Sequence, residues 1–225
     1  MNCAIVVAGG KSERIGKGVD KVFLSLGSKP VLVYSLLAFE KCPDIEEVIL
    51  VVRPERVDSA RSITHMFGCN KVKKIVGGGQ LRQISVSKGI EQLDETAEIV
   101  VVHDGARPCV TAELISATVK SAAEHGSGVA AVKITDTIKE VKRGMTVART
   151  VDRTDLWAVQ TPQAFKRELL VKAMEVMKKK KLTVTDESSA VELVSKDIRL
   201  VAASPFNVKI TTPNDLILAA ALMRL

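Results

Sequence analysis

A loop that combines glycines with spaced cations follows the first apolar run of the chain. The run NCAIVVA leads into Gly9 and Gly10, and four cations come next: Lys11, Arg14, Lys17 and Lys21. Exposed N–H groups of a glycine turn and nearby side-chain cations can converge on one anion. The pattern therefore predicts an anion-binding loop, although a plain glycine-rich connection with solvated cations would use the same residue types.

Two familiar phosphate-binding motifs do not fit this loop. The letters GKS match the end of a P-loop, but the first glycine of that motif would fall at Ile5. A dinucleotide fingerprint that begins at Gly9 would need a glycine in place of Lys11. What remains is a strand, a glycine turn, and then Arg14 and Lys21.

Three later segments carry residues of similar chemistry. VGGGQLRQISV places Gly79, Arg82 and Ser85 at a second glycine-rich turn and at the start of a predicted helix. N–H groups at such a helix start can bind an anion or a polar base edge, although a tight turn would look the same. VVVHDGARP places Asp104 at the end of the most apolar predicted strand, and SPFNVKITTPNDL places Lys209 at the end of a predicted late strand.

Two titratable groups lie at the end of the most apolar strand. Asp104 could cap a helix, pair with Arg107 or supply an oxygen ligand to Mg²⁺. An imidazole at a buried strand end is more often structural than catalytic, so we expect a structural role for His103.

A separate acidic segment, TDESSAVE, occurs later in the chain. Thr185-Asp186-Glu187 is typical of a helix N-cap with acids in the first turn. This segment therefore predicts a helix start, and the capping role is sufficient to explain its residues.

Short apolar runs alternate with amphipathic segments of helical length along the chain. The runs NCAIVVA, EEVILVV, KVKKIV, EIVVVHD and GVAAVKI predict strands, with helices between them. Strands that are apolar on both faces are typical of a mainly parallel sheet covered by helices on both sides. We therefore expect one three-layer, Rossmann-like α/β domain over residues 1–225, with ligands beyond the carboxyl ends of the strands.

Residues 135–161 interrupt this alternation. Polar and apolar residues alternate on both sides of the turn signal KRG at 142–144, which predicts a two-stranded hairpin or β-arm. An isolated hairpin is marginally stable in water, so we expect it to pack on another surface. A second copy of the chain is a natural candidate.

Charge and aromatic content bear on the class of partner. A formal net charge of +7 favours anionic partners, of which nucleic acid is one. Aromatic residues, on which single-stranded bases stack, make up only 3% of the chain and weigh against nucleic acid. The run KKKK at 178–181 closes an amphipathic pattern and is typical of a solvated helix end. We expect no nucleic-acid partner.

Cysteine spacing and the lack of targeting signals bear on the compartment. The four cysteines form neither a C-x-x-C pair nor a metal-binding spacing with histidine, so we expect reduced thiols. The N-terminal segment lacks the features of a signal peptide, and no apolar run is long enough to span a bilayer. We expect a soluble, cytoplasmic protein without a membrane partner.

Seven motifs together resemble one enzyme family. They are AGGKSERIGKGVDK, GGGQLRQISV, VVHDGARP, TDTIK, TVDRTDLWAVQTPQAF, TDESSAVE and NVKITTPNDL. In this order they are similar to the 2-C-methyl-D-erythritol 4-phosphate cytidylyltransferases of non-mevalonate isoprenoid synthesis, over nearly the whole chain. The related ribitol 5-phosphate cytidylyltransferases share much of the pattern and are the nearest alternative. A nucleotide-binding or nucleic-acid-binding module without catalysis is an alternative of another class.

The resemblance implies a reaction and a set of site residues. The reaction is a Mg²⁺-dependent transfer of CMP from CTP to a sugar alcohol phosphate, with release of pyrophosphate. The resemblance implies catalytic roles for Arg14, Lys21 and Lys209, and it places Asp104 near the metal. The positions assigned to CTP are Ala8, Gly9, Gly10, Gly79, Arg82, Ser85 and Asp104.

The resemblance also implies a dimer. Family members form homodimers through a protruding β-arm, which would give the predicted hairpin its packing partner. Thr137 and Arg153 match positions that bind the acceptor phosphate, and Arg153 would reach the site of the neighbouring subunit.

The first loop departs from the family pattern at three positions. Asp20 stands where proline is common, Ser12 where a glycine is usual and Ile15 where methionine is common. Asp20 could partly neutralise Lys21, or its side chain could face solvent.

Overall fold

A seven-stranded β-sheet forms the centre of the computed structural model, which describes residues 1–10 and 20–225. The strands of this part of the chain are β1 (Asn2–Val7), β2 (Ser25–Leu26), β3 (Lys29–Pro30), β4 (Glu47–Val52), β5 (Val72–Gly77), β6 (Ile99–Asp104), β7 (Ser127–Lys133), β8 (Ile138–Val141), β9 (Val147–Val151), β10 (Trp157–Lys166) and β11 (Leu200–Ala202). The central sheet has the order β11-β7-β10-β6-β1-β4-β5, while β2 pairs with β3 and β8 with β9.

Helices connect most of the strands, as the alternating pattern predicted. The helices of the described chain are α1 (Val31–Lys41), α2 (Val57–Met66), α3 (Arg82–Ile90), α4 (Ala112–His125), α5 (Arg167–Lys179), α6 (Glu187–Val191) and α7 (Pro213–Met223). Short 3-10 turns occur at Lys21–Phe23, Pro54–Arg56 and Arg143–Met145. The lysine run at 178–181 lies at the end of α5, so its prediction as a helix C-terminus is confirmed.

The helices cover both faces of the sheet. Successive side chains of a strand point to opposite faces. On β1, accordingly, Val6 belongs to the core that contains Leu36 of α1, and Ile5 to the core that contains Leu170 of α5. Helices α1, α2 and α4 contribute to the first core, and α3, α5 and α6 contribute to the second. The prediction of a three-layer α/β fold is confirmed.

The carboxyl ends of four parallel strands lie at one edge of the sheet. Val7 at the end of β1 pairs with Val51 of β4 on one side and with Asp104 of β6 on the other. Val52 of β4 pairs in turn with Gly77 at the end of β5. Residues that follow these strands therefore meet at this edge, which is where ligands of parallel sheets bind.

Strand β10 corrects the predicted boundary of the arm. Residues 157–161 were expected in the arm, but Trp157–Lys166 runs through the central sheet, antiparallel to β6 and β7. The strand contains Pro162, which lacks an N–H group and is normally excluded from a central strand. The pairing with β7 shifts register between Val159 and Gln163, and this irregularity accommodates the proline.

The predicted hairpin is present with narrower bounds. Strands β8 and β9 are antiparallel, and Ile138 lies opposite Val151. Among the described residues the two strands pair only with each other, and most of their side chains are exposed. The hairpin therefore occupies 138–151 and not the whole of 135–161.

The predicted late strand at Asn207–Lys209 is wrong. The strand in this region is β11 (Leu200–Ala202), and residues 203–212 are irregular. The hydrogen bonds of the irregular segment go to scattered partners and form no ladder: the Ile210 N–H donates to Ala106 O at 2.8 Å, and Asn207 Nδ2 donates to Thr161 O of β10 at 2.9 Å. The segment thus crosses the edge of the sheet instead of adding a strand to it.

Within residues 1–10 and 20–225, no helix combines the length and the apolar character that crossing a bilayer requires.

The contribution of the first core can be measured by deleting one side chain. Leu36 of α1 is 1% exposed, so Leu36→Ala should reduce the free energy of unfolding by about 2–5 kcal/mol. Leu218 of α7 is 47% exposed, and Leu218→Ala should change it by about 0.5 kcal/mol or less. Urea unfolding monitored by circular dichroism measures both; equal losses would contradict the assigned core.

Candidate active site

A cavity of about 220 Å³ lies at the edge where the parallel strands end. Nine of the residues predicted for the site line this cavity: Ala8, Gly9, Gly10, Lys21, Gly79, Arg82, Ser85, Asp104 and Lys209. They come from distant parts of the sequence, and the sheet topology brings them together. Arg14, also predicted for the site, lies outside the described residues.

The second glycine turn is shaped by close packing against the start of α3. A Cβ atom on Gly79 would lie 2.3 Å from Ile84 Cγ2, and one on Gly78 would lie 2.7 Å from Ser85 Oγ. Ser85 Oγ accepts a hydrogen bond from the Gly79 N–H at 3.1 Å. Only glycine fits this approach, and Ser85 fixes the turn that lines the cavity.

Asp104 is held between two cations at the end of β6. Arg82 Nε donates to Asp104 Oδ1 at 2.9 Å, and Lys209 Nζ donates to Oδ2 at 2.6 Å. Burial favours the protonated acid, but the charges of Arg82, Lys209 and Arg107 together hold the pKa of Asp104 well below its ordinary value. The carboxylate is therefore ionised at neutral pH.

Among the alternatives for Asp104, an ion pair with Arg107 is only partly right. Arg107 contributes charge to the Asp104 environment, but its Nη1 donates to the backbone oxygen of Asn207 at 2.7 Å. The direct partners of Asp104, Arg82 and Lys209, lie far from it in sequence, and sequence spacing gives no signal for such pairs.

Glu187 belongs to the same charge cluster and was missed as a site residue. Arg82 Nη1 donates to Glu187 Oε1 at 2.6 Å, and the Glu187 side chain is 2% exposed. Burial opposes the charge of Arg82, but Glu187 and Asp104 outweigh it and raise the Arg82 pKa. The predicted helix cap is confirmed beside it, because Asp186 Oδ1 accepts the Ser189 N–H at 3.0 Å. The acidic residues of this segment were visible in the sequence, but a capping role explained them fully, so the sequence did not indicate that Glu187 contacts Arg82.

A second cavity adjoins the same charge cluster. It has a volume of about 250 Å³, and Arg82, Asp104 and Lys209 line it as well as the first cavity. Arg107 and Gln163 line the second cavity only. Ligands in the two cavities would therefore meet across one cationic group, which could hold two anions in contact.

The two residues predicted for the acceptor phosphate lie elsewhere. Thr137 and Arg153 flank the β8–β9 hairpin, both are exposed, and neither lines the two cavities described above. Within one chain the structure does not bring them to Asp104.

His103 has the environment of a structural residue. Its side chain is buried, its ring packs against Phe39 with centroids 5.2 Å apart, and Nδ1 lies 3.2 Å from Thr161 Oγ1. Burial lowers the pKa of His103 to about 3, so the imidazole is neutral at physiological pH. A proton-transfer role is not supported, in agreement with the prediction.

Among the described residues, Asp104 is the carboxylate that lines both cavities. No group of three or more His, Cys, Asp or Glu side chains in this part of the chain could hold a metal ion. Mg²⁺ often binds through one or two carboxylates while substrate phosphates and water complete its shell. Asp104 fits that arrangement, because each carboxylate oxygen has a further lone pair beside its contact with a cation.

The fold and the site together define a nucleotide-binding α/β enzyme: glycine turns and cations face a cavity beyond the ends of parallel strands. The particular family follows from comparison with known proteins. The sequence model of the 2-C-methyl-D-erythritol 4-phosphate cytidylyltransferase family matches residues 2–225, and the chain belongs to this family.

Individual relatives agree with the family match. The chain is 42% identical over 222 residues to the 2-C-methyl-D-erythritol 4-phosphate cytidylyltransferase of Caldanaerobacter subterraneus subsp. tengcongensis, covering 98% of both chains. The 4-diphosphocytidyl-2C-methyl-D-erythritol synthase of Anaerococcus prevotii has a similar structure, with a TM-score of 0.88, 29% identity and coverage of 100% of this chain and 96% of that one. The 2-C-methyl-D-erythritol 4-phosphate cytidylyltransferase of Thermus thermophilus has a structure with a TM-score of 0.82 and 29% sequence identity, and the match covers 100% of both chains.

The buried imidazole predicts a specific pH dependence of stability. His103 has a folded pKa of about 3, whereas a histidine in an unfolded chain titrates near ~6.5. Between these values the unfolded chain binds the additional proton, so stability falls as pH drops below ~6.5, by about 2 kcal/mol at pH 5 from this group. Urea unfolding at pH 7 and pH 5 measures the loss.

Two variants isolate this contribution. His103→Gln should reduce the loss between pH 7 and pH 5, whereas His125→Gln, at an exposed position beside Glu124, should retain it. An unchanged loss in His103→Gln would contradict the assignment.

Proposed function

We propose that this chain transfers CMP from CTP to 2-C-methyl-D-erythritol 4-phosphate and releases pyrophosphate. The carrying observation is the Arg82–Asp104–Lys209 group, which lines two adjoining cavities. CTP would occupy the cavity between the two glycine turns, and the acceptor phosphate would approach from the second. Family membership over residues 2–225 supports the same reaction.

The chemistry requires cations more than a general base. A phosphate monoester has a second pKa near ~6, so the attacking oxygen is already ionised at neutral pH. The main obstacle is repulsion between the acceptor phosphate and the triphosphate, which fixed positive groups offset. Lys209 and Arg82 are held beside the reacting groups by Asp104, and the buried, neutral His103 does not take part.

Lys21 and Arg14 complete the proposed positive environment. Lys21 lines the nucleotide cavity, as Gly10 does, where the triphosphate would bind. Arg14 is assigned to the same group by sequence alone. Both would hold the triphosphate and stabilise the charge that develops at its α-phosphorus.

Magnesium would be held by Asp104 together with the oxygens of the triphosphate. Such an ion would offset the charge of the leaving pyrophosphate when bound. Apart from this contribution, the residues of the chain itself bind and orient the two substrates.

The decisive assay measures pyrophosphate release from CTP in the presence of Mg²⁺. Parallel reactions contain methylerythritol phosphate, ribitol 5-phosphate or no acceptor, each with an EDTA control. We expect release with methylerythritol phosphate and its loss with EDTA. Preference for ribitol 5-phosphate would overturn the assignment of methylerythritol phosphate as the acceptor. No pyrophosphate release with either acceptor would overturn the proposed function.

Removing one cation from the nucleotide cavity should slow transfer strongly. Lys21→Ala and Lys209→Ala should each lower kcat/KM by roughly 100-fold or more, because one fixed contact to developing charge is lost. Lys120 is exposed on α4, and Lys120→Ala should match the wild type. Steady-state kinetics and circular dichroism test these variants; near wild-type turnover would remove that lysine from the mechanism.

We also propose that the β8–β9 hairpin forms a homodimer interface. The hairpin exposes apolar side chains, among them Val141 (48%), Met145 (82%) and Val147 (55%). A two-stranded hairpin is marginally stable alone, and a second chain would cover these residues. Arg153, next to the hairpin, would then serve the acceptor site of the neighbouring subunit together with Thr137.

Mixing two inactive variants tests the exchange of Arg153 between subunits. Arg153→Ala and Lys209→Ala should each be nearly inactive. After mixing and subunit exchange, heterodimers would contain one intact site, so activity should recover to about a quarter of the wild-type value. Sedimentation analysis should show a dimer. Recovery would not occur if Arg153 served its own chain, and a monomeric wild type would also contradict the proposal.

We propose a cytoplasmic location on the basis of the thiols. Four free cysteines lie in the described part of the chain: Cys3, Cys42, Cys69 and Cys109. Free thiols fit a reducing compartment, although burial of the first three would protect them elsewhere too. Fractionation of cells that produce the protein tests the location.

A further inference from the structure

A buried carboxylate lies just before Lys21 and takes no part in the chemistry described above. The Asp20 side chain is 1% exposed, and Arg53 Nε and Arg56 Nε lie 3.8 and 3.7 Å from its Oδ2. Neither Asp20 oxygen has a hydrogen bond of good geometry within the described residues, and a weaker contact with the Val22 backbone adds to the charges that favour the ionised form. Of the two expected roles, neutralising Lys21 or facing solvent, the second is therefore wrong. Asp20 instead faces two arginines.

Arg53 contacts the chain on both sides of residues 11–19. Besides its ion pair with Asp20, its Nη2 donates to the backbone oxygen of Gly10 at 3.2 Å. Arg53 directly follows β4, whose end is fixed because the Gly78 N–H donates to Val52 O at 2.6 Å. One guanidinium group therefore connects Gly10 and Asp20 to a rigid part of the sheet.

Arg56 lies beside the same carboxylate oxygen as Arg53. Its guanidinium lies over the Phe23 ring, 5.3 Å from the centroid, so it packs on the same short turn that begins with Lys21. Glu55 is the nearby acid that opposes the two arginines. Within the described residues, Arg53 and Arg56 favour the ionised form of Asp20 and Glu55 opposes it, and all three belong to the segment after β4.

We propose that Arg53 is a positioning residue that ties the backbone on both sides of residues 11–19 to the end of β4, with Asp20 as its buried counter-charge. Gly10 and Lys21 line the nucleotide cavity, so the ion pair sets their spacing for the triphosphate of CTP. This inference rests on the proposed function and deepens it, because Arg53 acts through groups that contact the nucleotide.

The energetics explain why the pair is more than a surface contact. A buried carboxylate without hydrogen bonds is costly unless cations compensate for its lost solvation. Burial raises the pKa of Asp20, although Arg53 and Arg56 favour the ionised form. Removing Arg53 leaves Asp20 with Arg56 alone, and removing the Asp20 charge leaves both arginines without it, so the backbone beside them is expected to move.

Direct contact between Arg53 and the nucleotide is the competing explanation. Arg53 lines a cavity of about 310 Å³ that shares Gly9 and Gly79 with the nucleotide cavity. A direct phosphate ligand would depend on the arginine charge and not on Asp20. The two explanations therefore differ in what Asp20→Asn should do.

The test compares Asp20→Asn, Arg53→Lys and their combination. Asp20→Asn removes the counter-charge, and Arg53→Lys keeps the positive charge but loses the fork that reaches two groups. Each should raise the KM for CTP by about 10-fold with a smaller change in the KM for the acceptor. The double variant should be no worse than about the poorer single, because both single changes break one interaction.

The control is Asp58→Asn. Asp58 pairs with Arg61 on the exposed surface of α2, with Arg61 Nη1 and Asp58 Oδ1 3.1 Å apart, and this variant should match the wild type. Calorimetric titration with CTP, without acceptor, should show the same weakening in Asp20→Asn and Arg53→Lys. This measurement keeps the inference testable even if no acceptor supports turnover, which would overturn the proposed function alone.

Three results would overturn the positioning role. One is wild-type KM and CTP affinity in Asp20→Asn, which would favour direct binding by Arg53. Another is a double variant whose effect equals the product of the two single effects. The third is a lowered melting temperature in both single variants with unchanged KM for CTP, which would mean that the pair serves stability only.

Discussion

The ionised carboxylate of Asp104, held between Arg82 and Lys209, is the interaction on which the site depends. These three residues come from the end of β6, the start of α3 and the irregular segment that crosses the sheet edge. A buried anion is tolerated only when cations surround it, so the fold must deliver both partners. In doing so, it places two fixed positive groups at the junction of the two cavities.

The charge cluster extends from Arg82 to a second acid, Glu187. Lys209, Asp104, Arg82 and Glu187 form a chain of alternating charges, with contacts of 2.6, 2.9 and 2.6 Å. Each cation is oriented by an anion, so the cost of ordering long, flexible side chains is met during folding and not when substrates bind. Cations that are preorganised in this way suit a reaction between two phosphates, in which repulsion is the obstacle.

The site contrasts with sites built for proton transfer. His103 neighbours Asp104 in sequence, but its side chain lies among buried groups and hydrogen bonds to Thr161. Thr161 Oγ1 also accepts the Asp104 N–H at 3.0 Å, so the imidazole and the threonine support the strand end that presents the carboxylate. Ion pairs recur beside the first glycine loop, where Arg53 contacts both Gly10 and Asp20. Ion pairs therefore lie beside both the first glycine turn and the junction of the two cavities.

Local sequence determined five strands of the central sheet (β1, β4, β5, β6 and β7), most helices, the two glycine turns and the types of residue at the site, because apolar periodicity and turn chemistry act over short distances. It also determined that Asp104 ends a buried strand, and the motif resemblance identified the family. Tertiary structure alone decided the partners of Asp104, the inclusion of Glu187 and the burial of Asp20 against Arg53, because these contacts join residues far apart in the chain. It also moved residues 157–161 into the sheet, where a register shift accommodates Pro162. It left 203–212 without a strand because their hydrogen bonds go to scattered partners and form no ladder.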